Sequence, residues 1–498
     1  MSLMLLTFLV PILCGIALLC VKESFFPARK HLIITVAVMM GASELLLGIS
    51  LATKLHKTDT LFYLTEQLPI LFRPDELGVL FAAMAAVIFA AACVFSFIYM
   101  KHEAHEKRYY GFYLIVFGVL IALCFAGNLV TFYFFFEMLT LTSMPLVLHN
   151  QSHEAVIAGL KYLLYSLCGA YAVLFGLYFV VQNSTTLTFT HGGVLTDAVI
   201  NGNGNFFLGI AFGMILGFGV KAGMFPLHAW LTSAHPVAPA PASAVLSAVI
   251  VKAGVLGILR VVYDIFGTAF LRGTWVQEAW LVLTLITVFM GSMLAYREKV
   301  LKKRLAYSTV SQVSYILFGL ALMNTTSVTG SLLHVLAHGF VKAVLFLCAG
   351  AIIFRTGKTR VDELRGIGKQ MPVTMWCYTI AALGLIGIPP TGGFLSKWYL
   401  CMGALDTGMK VFAWLGPAVL LVSALLTAGY LLPISINGFF PGADYDYGAL
   451  NKEREQNGKE SAAMTVPILV LTVCSVWMGL FPTGLLNRLE ELAAVLVK

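Results

Sequence analysis

The sequence predicts an all-α polytopic membrane protein of about fourteen membrane-spanning helices, with two inverted five-helix repeats and two broken helices. Three observations carry that expectation. Hydrophobic residues make up 59% of the chain and charged residues 11%, with a mean hydropathy of +0.88, a balance foreign to soluble globular domains. The apolar residues gather into stretches near the ~20 residues that a helix needs to cross a bilayer. Basic residues crowd into alternate connections between those stretches, the asymmetry that membrane insertion produces.

In order, the spans fall at approximately 2–21, 32–52, 77–100, 110–126, 128–148, 156–181, 206–223, 240–262, 276–295, 305–323, 330–354, 373–401, 411–435 and 464–482. The first does not read as a cleaved signal, because its positive charges follow the apolar run and do not precede it. The connections after spans 1, 3, 9, 11 and 13 hold Lys22, Arg29 and Lys30; Lys101, Lys107 and Arg108; Arg297, Lys299, Lys302, Lys303 and Arg304; Arg355, Lys358, Arg360, Arg365 and Lys369; and Lys452, Arg454 and Lys459. These are 19 of the 32 Lys and Arg. The positive-inside rule then puts those connections in the cytoplasm and both termini on the external side of a bacterial or archaeal cytoplasmic membrane. The net charge of +8 is topological, so no nucleic-acid partner is needed to explain it; the lipid bilayer is the surrounding partner.

No connection is long enough for a folded extramembrane domain. Residues 183–205 are Ser/Thr/Asn/Gly-rich and read as an external loop; 437–462 reads as a cytoplasmic loop with room for a short surface helix. The resulting division is helices 1–3 over 1–109, a first repeat of helices 4–8 over 110–262, a second repeat of helices 9–13 over 276–435, and helix 14 over 464–498. The nine cysteines lie in or beside apolar stretches without C-x-x-C or metal-ligand spacing, and read as packed or lipid-facing thiols.

Charges inside the spans point to function. Lys161, Lys221, Lys252, Lys342 and Lys397 sit in apolar helices, and Glu137 sits in FYFFFEMLTLTSMPL. At roughly 2.5–3.5 kcal/mol per charge on insertion scales, five unpaired ammonium groups would cost about 12–18 kcal/mol, beyond the ~5–15 kcal/mol that keeps a typical fold together. They must pair, lose protons or face water, so proton or ion handling is the first expectation.

Two of these lysines lie beside helix breaks. Span 7 runs into VKAGMFPLHAWLTSAHPVAPAPASAV, with Pro226 five residues past Lys221, and span 12 is interrupted by GLIGIPPTGGFLSK, with Pro390 seven residues before Lys397. Proline removes a ladder hydrogen bond, and unwound backbone survives in a membrane only where protein or a hydrated cavity surrounds it. Five spans separate the breaks. An odd offset inverts orientation, which is the basis for the two repeats, and paired interruptions mark a transport site.

The stretches GFGVKAGMFPLHAWLTSAHPVAPAPASAVLSAVIVKAGVLGILR, RLAYSTVSQVSYILFGL, LLHVLAHGFVKAVLFLCAG and ELRGIGKQMPVTM…LIGIPPTGGFLSKWYL resemble the antiporter-like family. That family comprises the large proton-pumping membrane subunits of respiratory complex I, their equivalents in membrane-bound energy-converting hydrogenases, and the large subunits of Mrp-type cation/proton antiporters. The resemblance covers nearly the whole chain and is densest over 110–400. By motif it implies that Glu137 is the family's span-5 glutamate, Lys221 the span-7 lysine, Lys252 the span-8 lysine, His334 and His338 the span-11 histidines, and Lys397 the ionisable residue of span 12. That last position is glutamate in some members. The chain stops soon after span 14 without the long lateral helix of the most distal complex I subunit, which weakens the likeness to that subunit.

The chemistry these residues suggest is a proton switch. Burial favours a neutral amine while a nearby carboxylate favours the ammonium, so movement of Glu137 relative to Lys221 is expected to load and unload the lysine. Lys252 is then the central relay and Lys397 the gate of the second half. His334 and His338, at i and i+4, share a helix face that Lys342 continues, and imidazole passes protons in both directions. Ser308, Ser311, Gln312 and Ser314 offer either a water wire or bonds to their own helix carbonyls. His228 and His235 flank the first break and suit an entry path. Lys161 is expected to snorkel to the interface, Lys342 stands between snorkelling and relay, and Glu44 reads as a structural or partner contact. The two histidines have no carboxylate or thiol near in sequence, so no metal site is expected.

The function expected is that of a proton or sodium translocating subunit of a redox-driven complex such as NADH:quinone oxidoreductase or a membrane-bound hydrogenase. It would bind no cofactor itself and would assemble with sister antiporter-like subunits and a redox module. The alternative is a subunit of an Mrp-type Na+/H+ antiporter. A solute transporter would need a roomy polar cavity, and the polar residues form only a thin line.

Overall fold

The computed structural model describes residues 2–53, 58–66, 68–442, 445–446 and 460–498. It contains α1 (Leu3–Cys20), α2 (Arg29–Ala52), a hairpin of β1 (Asp59–Thr65) and β2 (Leu68–Phe72), α3 (Glu76–Tyr99), α4 (Glu106–Cys124), α5 (Leu129–Val147), α6 (His153–Asn183), α7 (Asp197–Ala222), α8 (Ala229–Val237) and α9 (Ala240–Phe266). These are followed by α10 (Trp275–Arg297), α11 (Leu301–Ala321), α12 (Thr325–Thr356), α13 (Pro372–Ile386), α14 (Gly392–Leu405), α15 (Lys410–Phe439), α16 (Ala462–Leu480) and α17 (Thr483–Leu496).

Among the described residues twelve helices are long and apolar enough to cross a membrane: α1–α7, α9, α10, α12, α15 and α16. The chain is an integral, multi-pass membrane protein. Two predicted spans fall outside that set. Span 10 is α11, whose polar first turn and buried Ser308, Ser311, Gln312 and Ser314 lower its hydropathy. Span 12 is divided into α13 and α14 by its break.

Burial separates an inner set of helices from an outer one. The apolar window of α9 is 100% buried and that of α12 94%, against 28% for α2. Helix α12 packs on α11, α13, α14, α16, α9, α17 and α3, so a charge placed on it meets protein and not lipid. Helix α9 departs from the α-ladder twice, in π-turns at Leu246–Ile250 and Arg260–Phe266. Such turns insert an extra residue and recur at functional sites.

Both breaks are present. Helix α7 ends at Gly223 in the left-handed conformation (φ 77°), and Trp230 Nε1 donates to the Val220 carbonyl at 2.8 Å, satisfying an end the missing turn would leave open. Helix α13 ends at Gly387 (φ 92°) in the same way. Across this second break the backbones come very close. A Cβ on Gly393 would lie 1.9 Å from the Gly384 carbonyl, and one on Gly479 of α16 would lie 2.0 Å from that of Pro390. Gly393→Ala is therefore expected to destabilise the protein by about 1–3 kcal/mol, the usual cost of overpacking, read as a lower melting temperature in detergent.

Three parts of the sequence reading need correction. The external loop of 183–205 is shorter than expected. Helix α6 runs to Asn183 and α7 begins at Asp197, its weak helix formers interrupting the ladder only at Asn203 (φ −129°, ψ 30°). The segment 53–76, which falls between the second and third spans, contains the antiparallel hairpin, tied onward by a bridge between Phe72 and Ala126. The single C-terminal helix of 464–498 is two helices: Pro482 disfavours helical backbone at Phe481 (φ −126°, ψ 60°), and amphipathic α17 follows with Leu489, Leu492, Ala493 and Leu496 inward. The surface helix suggested within 437–462, with Lys452, Arg454 and Lys459, lies outside the described residues.

Candidate functional site

Lys221 occupies the last turn of α7 and is fully enclosed. Its Nζ donates to Thr140 Oγ1 of α5 at 2.9 Å and to the Tyr162 hydroxyl of α6, and stands 4.4 Å from the Tyr162 ring centroid. Ser143 completes this cluster with a 2.8 Å bond to Tyr162. Glu137 is one turn before Thr140 on α5. The expected Glu137–Lys221 ion pair is nevertheless not formed. Hydroxyls satisfy the lysine, and Glu137 keeps one buried oxygen without a partner at the edge of a largely apolar cavity of about 640 Å³ between α5, α6 and the hairpin. Lys221 and Glu137 are thus held apart in this structure.

Lys252 lies in α9 directly after the first π-turn, with no exposure. Its Nζ donates to the Ser247 carbonyl at 2.8 Å and meets His338 Nδ1 of α12 at 2.7 Å. This contact joins α9 to α12. One turn earlier on α12 the His334 ring stacks at 6.0 Å from that of His338, and His334 Nδ1 bonds Ser396 Oγ of α14 at 2.8 Å. The next residue is Lys397. Its Nζ donates to the Leu385 and Ile386 carbonyls at 2.7 and 2.9 Å, capping the broken end of α13, and lies 5.0 Å from the Tyr315 ring centroid. Lys252, His338, His334 and Ser396 thus follow one another across α9, α12 and α14, with Lys397 next to Ser396 in the chain. His334 Nε2 and His338 Nε2 have no partner, leaving room for transient water or a transferred proton. Among the described residues no group of three or more His, Cys, Asp or Glu gathers as a metal site would require.

The other expected residues divide by their contacts. Lys342 does not snorkel: it is fully buried, donating to the Leu305 carbonyl at 2.9 Å and to Ser308 Oγ. Lys161 is half-buried, its Nζ donating to Ser233 Oγ of α8 at 3.1 Å. Ser308 and Ser314 bond carbonyls of their own helix, while Ser311 reaches the Val288 carbonyl and a hydroxyl cluster with Ser292 and Ser423. Gln312 leaves both amide atoms buried and unpartnered. His228 is half-buried against Phe225 with Nδ1 free, and Pro226 and Pro390 sit exposed at the two breaks. Glu44 keeps a buried oxygen unsatisfied in α2, apart from this line.

One ionic cluster escaped the sequence reading. Arg260 of α9 pairs with Asp75, the N-cap of α3, at 2.5 and 2.7 Å, and with Asp264 at 2.9 Å; Asp264 in turn meets His191 at 2.7 Å. The bond to Asp264 holds the His191 imidazole above its usual value against the effect of burial. Arg260 and Asp264 stand at i and i+4 in an apolar run, a signal that was available.

Comparison with known proteins places this geometry in context. The family model described as "NADH:quinone oxidoreductase/Mrp antiporter, TM" matches residues 126–427. NADH-quinone oxidoreductase subunit N of Desulforudis audaxviator is 33% identical over 83% of this chain and 81% of its own length. Hydrogenase-4 component B of Escherichia coli is 29% identical over 84% of this chain, which spans 64% of that protein. A chain of the Mrp complex from Dietzia sp. DQ12-45-1b superposes over 100% of this chain and 98% of its own with a TM-score of 0.84, at 23% identity.

Proposed function

Because this chain belongs to the NADH:quinone oxidoreductase/Mrp antiporter family, we propose that it is a proton or sodium translocating membrane subunit of a redox-driven complex. The observation that supports the reading is a row of buried groups: Lys252 meets His338, the His338 and His334 rings stack at 6.0 Å, and His334 bonds Ser396 beside Lys397, while Lys221 and Glu137 lie on α7 and α5. Buried ionisable groups without counter-charges are costly to keep unless they move charge. Here each lysine is satisfied by carbonyls, hydroxyls or an imidazole, partners that hold an amine in either protonation state.

In this reading Glu137 swings between its cavity and Lys221, Lys252 shares its proton with His338, and Lys397 releases it at the second break. Spans 10 and 12 cross with the other twelve, giving fourteen crossings, and the basic connections face the cytoplasm of a bacterium or archaeon. Electron transfer elsewhere drives the charges, the subunit holds no cofactor, and its neighbours are sister antiporter-like subunits and a redox module. Identity to a quinone oxidoreductase subunit and to a hydrogenase component supports this choice. The family description also names Mrp antiporters, so the second reading is a subunit of an Mrp-type Na+/H+ antiporter.

The complex extracted from native membranes in mild detergent separates the two. Co-purifying iron–sulfur proteins with a quinone- or hydrogenase-type module, and translocation that requires an electron donor, are expected. Iron-free membrane partners, with cation movement driven by an imposed pH gradient alone, would establish the antiporter.

A further inference from the structure

A polar cleft opens on the face that carries the basic connections. Tyr99 and Glu103 at the exit of α3, Asn150 before α6, Lys302 at the entry to α11 and the 236–239 step between α8 and α9 line a cavity of about 210 Å³, room for several waters at about 30 Å³ each. Lys302 is committed to that step, its Nζ donating to the Pro236 carbonyl at 3.1 Å and to the Ala238 carbonyl. Among the described residues no hydrogen bond or ion pair engages the Glu103 carboxylate, which is half-buried at the cleft.

Directly behind the step is His235. It is fully buried, its ring stacked 4.7 Å from that of Phe346 of α12, and neither ring nitrogen has a partner. Native proteins seldom leave such a group unsatisfied, because its desolvation goes uncompensated. The imidazole thus adjoins the Pro236 and Ala238 carbonyls that hold Lys302 on one side and lies against Phe346 of α12, the helix that carries Lys342 and His338, on the other.

We propose that this cleft is the proton mouth on the basic face, with Glu103 exchanging protons with water and His235 passing them to the buried lysines. The step is a simple transfer. The Glu103 carboxyl gives its proton to a cleft water, His235 accepts one at one ring nitrogen and releases one from the other, and a lysine amine takes it up. Burial pushes the Glu103 carboxyl above its usual range, against the pull of Lys302. The titratable and charged groups facing it are Lys302 of α11, Tyr99 of α3 and Tyr109 of α4. A carboxyl raised in this way keeps its proton nearer to neutral pH, where collection from the bulk matters.

The inference rests on the translocation reading above, and its test separates the two. Proton movement is measured against pH in inverted membrane vesicles that contain the assembled complex, for the parent, Glu103→Gln, Glu103→Asp, His235→Phe and Lys252→Met. Glu103→Gln is expected to keep the parent rate on the acid side and to move the alkaline limb of the profile down by about one pH unit, a tenfold loss at a fixed alkaline pH. Glu103→Asp should stay close to the parent, and His235→Phe should slow movement at every pH. An unmoved profile in Glu103→Gln, or equal losses in the Gln and Asp variants, overturns the mouth while a silent Lys252→Met leaves the translocation reading intact. Full activity in Lys252→Met overturns that reading itself.

Discussion

Lys252→Met is expected to stop ion translocation almost completely while leaving the complex assembled. The loss should reach about two orders of magnitude or more, the range a positioned proton-transfer group typically supplies. Lys252 makes the one polar contact that carries the line from α9 to α12, the 2.7 Å approach to His338, and no second donor stands within the same helix turn. Methionine preserves most of the volume, and exchanging a buried ionisable side chain for an apolar one of similar size is often neutral or stabilising. Melting temperature should therefore stay within a few degrees of the parent while the vesicle pH signal vanishes. Lys252→Arg sharpens the point. A guanidinium keeps its charge but does not release its proton, so it should be as inactive as methionine. Pumping by either variant would remove Lys252 from the path.

Lys221→Ala is expected to be equally silent, and the pattern around it reports on the switch. Glu137→Ala should strongly impair translocation, and Glu137→Asp should retain part of it, since the shorter carboxylate keeps the charge but loses reach. Tyr162→Phe removes one of the two hydroxyls that hold Lys221 away from Glu137. With that hold weakened the lysine is freer to meet the carboxylate, so the variant should disturb the timing of transfer and not merely its rate. Proton release after a single driving event, followed with a pH-sensitive dye, distinguishes these cases. Normal pumping by Glu137→Ala would show that the carboxylate takes no part.

Much of the fold was legible because a membrane simplifies the code. Apolar length marks a span, and the Gly and Pro residues at 223–226 and 387–393 marked both breaks, since little else tolerates that backbone in a bilayer. The site residues were legible for a related reason: an isolated Lys252 or Lys221 in an apolar run stands out. Their partners did not. Nothing local foretells that Lys221 meets Thr140 and Tyr162 in place of Glu137, or that Lys161 turns to Ser233, because these contacts join helices far apart in sequence. The hairpin is not legible because TLFYL and LPILF are short, and the Arg260 cluster because Asp75 lies far from Arg260 in sequence.

The position of α16 has a consequence for how the molecule is made. This helix packs against α3, α12, α13 and α14, and Gly479 lies against the backbone of the second break. Helix α3 is synthesised far earlier than α16, so during translation its face waits beside lipid or a chaperone for a partner still inside the ribosome. The break behind Lys397 likewise cannot be sealed until that helix arrives. The second break is therefore among the last parts of the molecule to be completed, after the helices on either side of it are already in place.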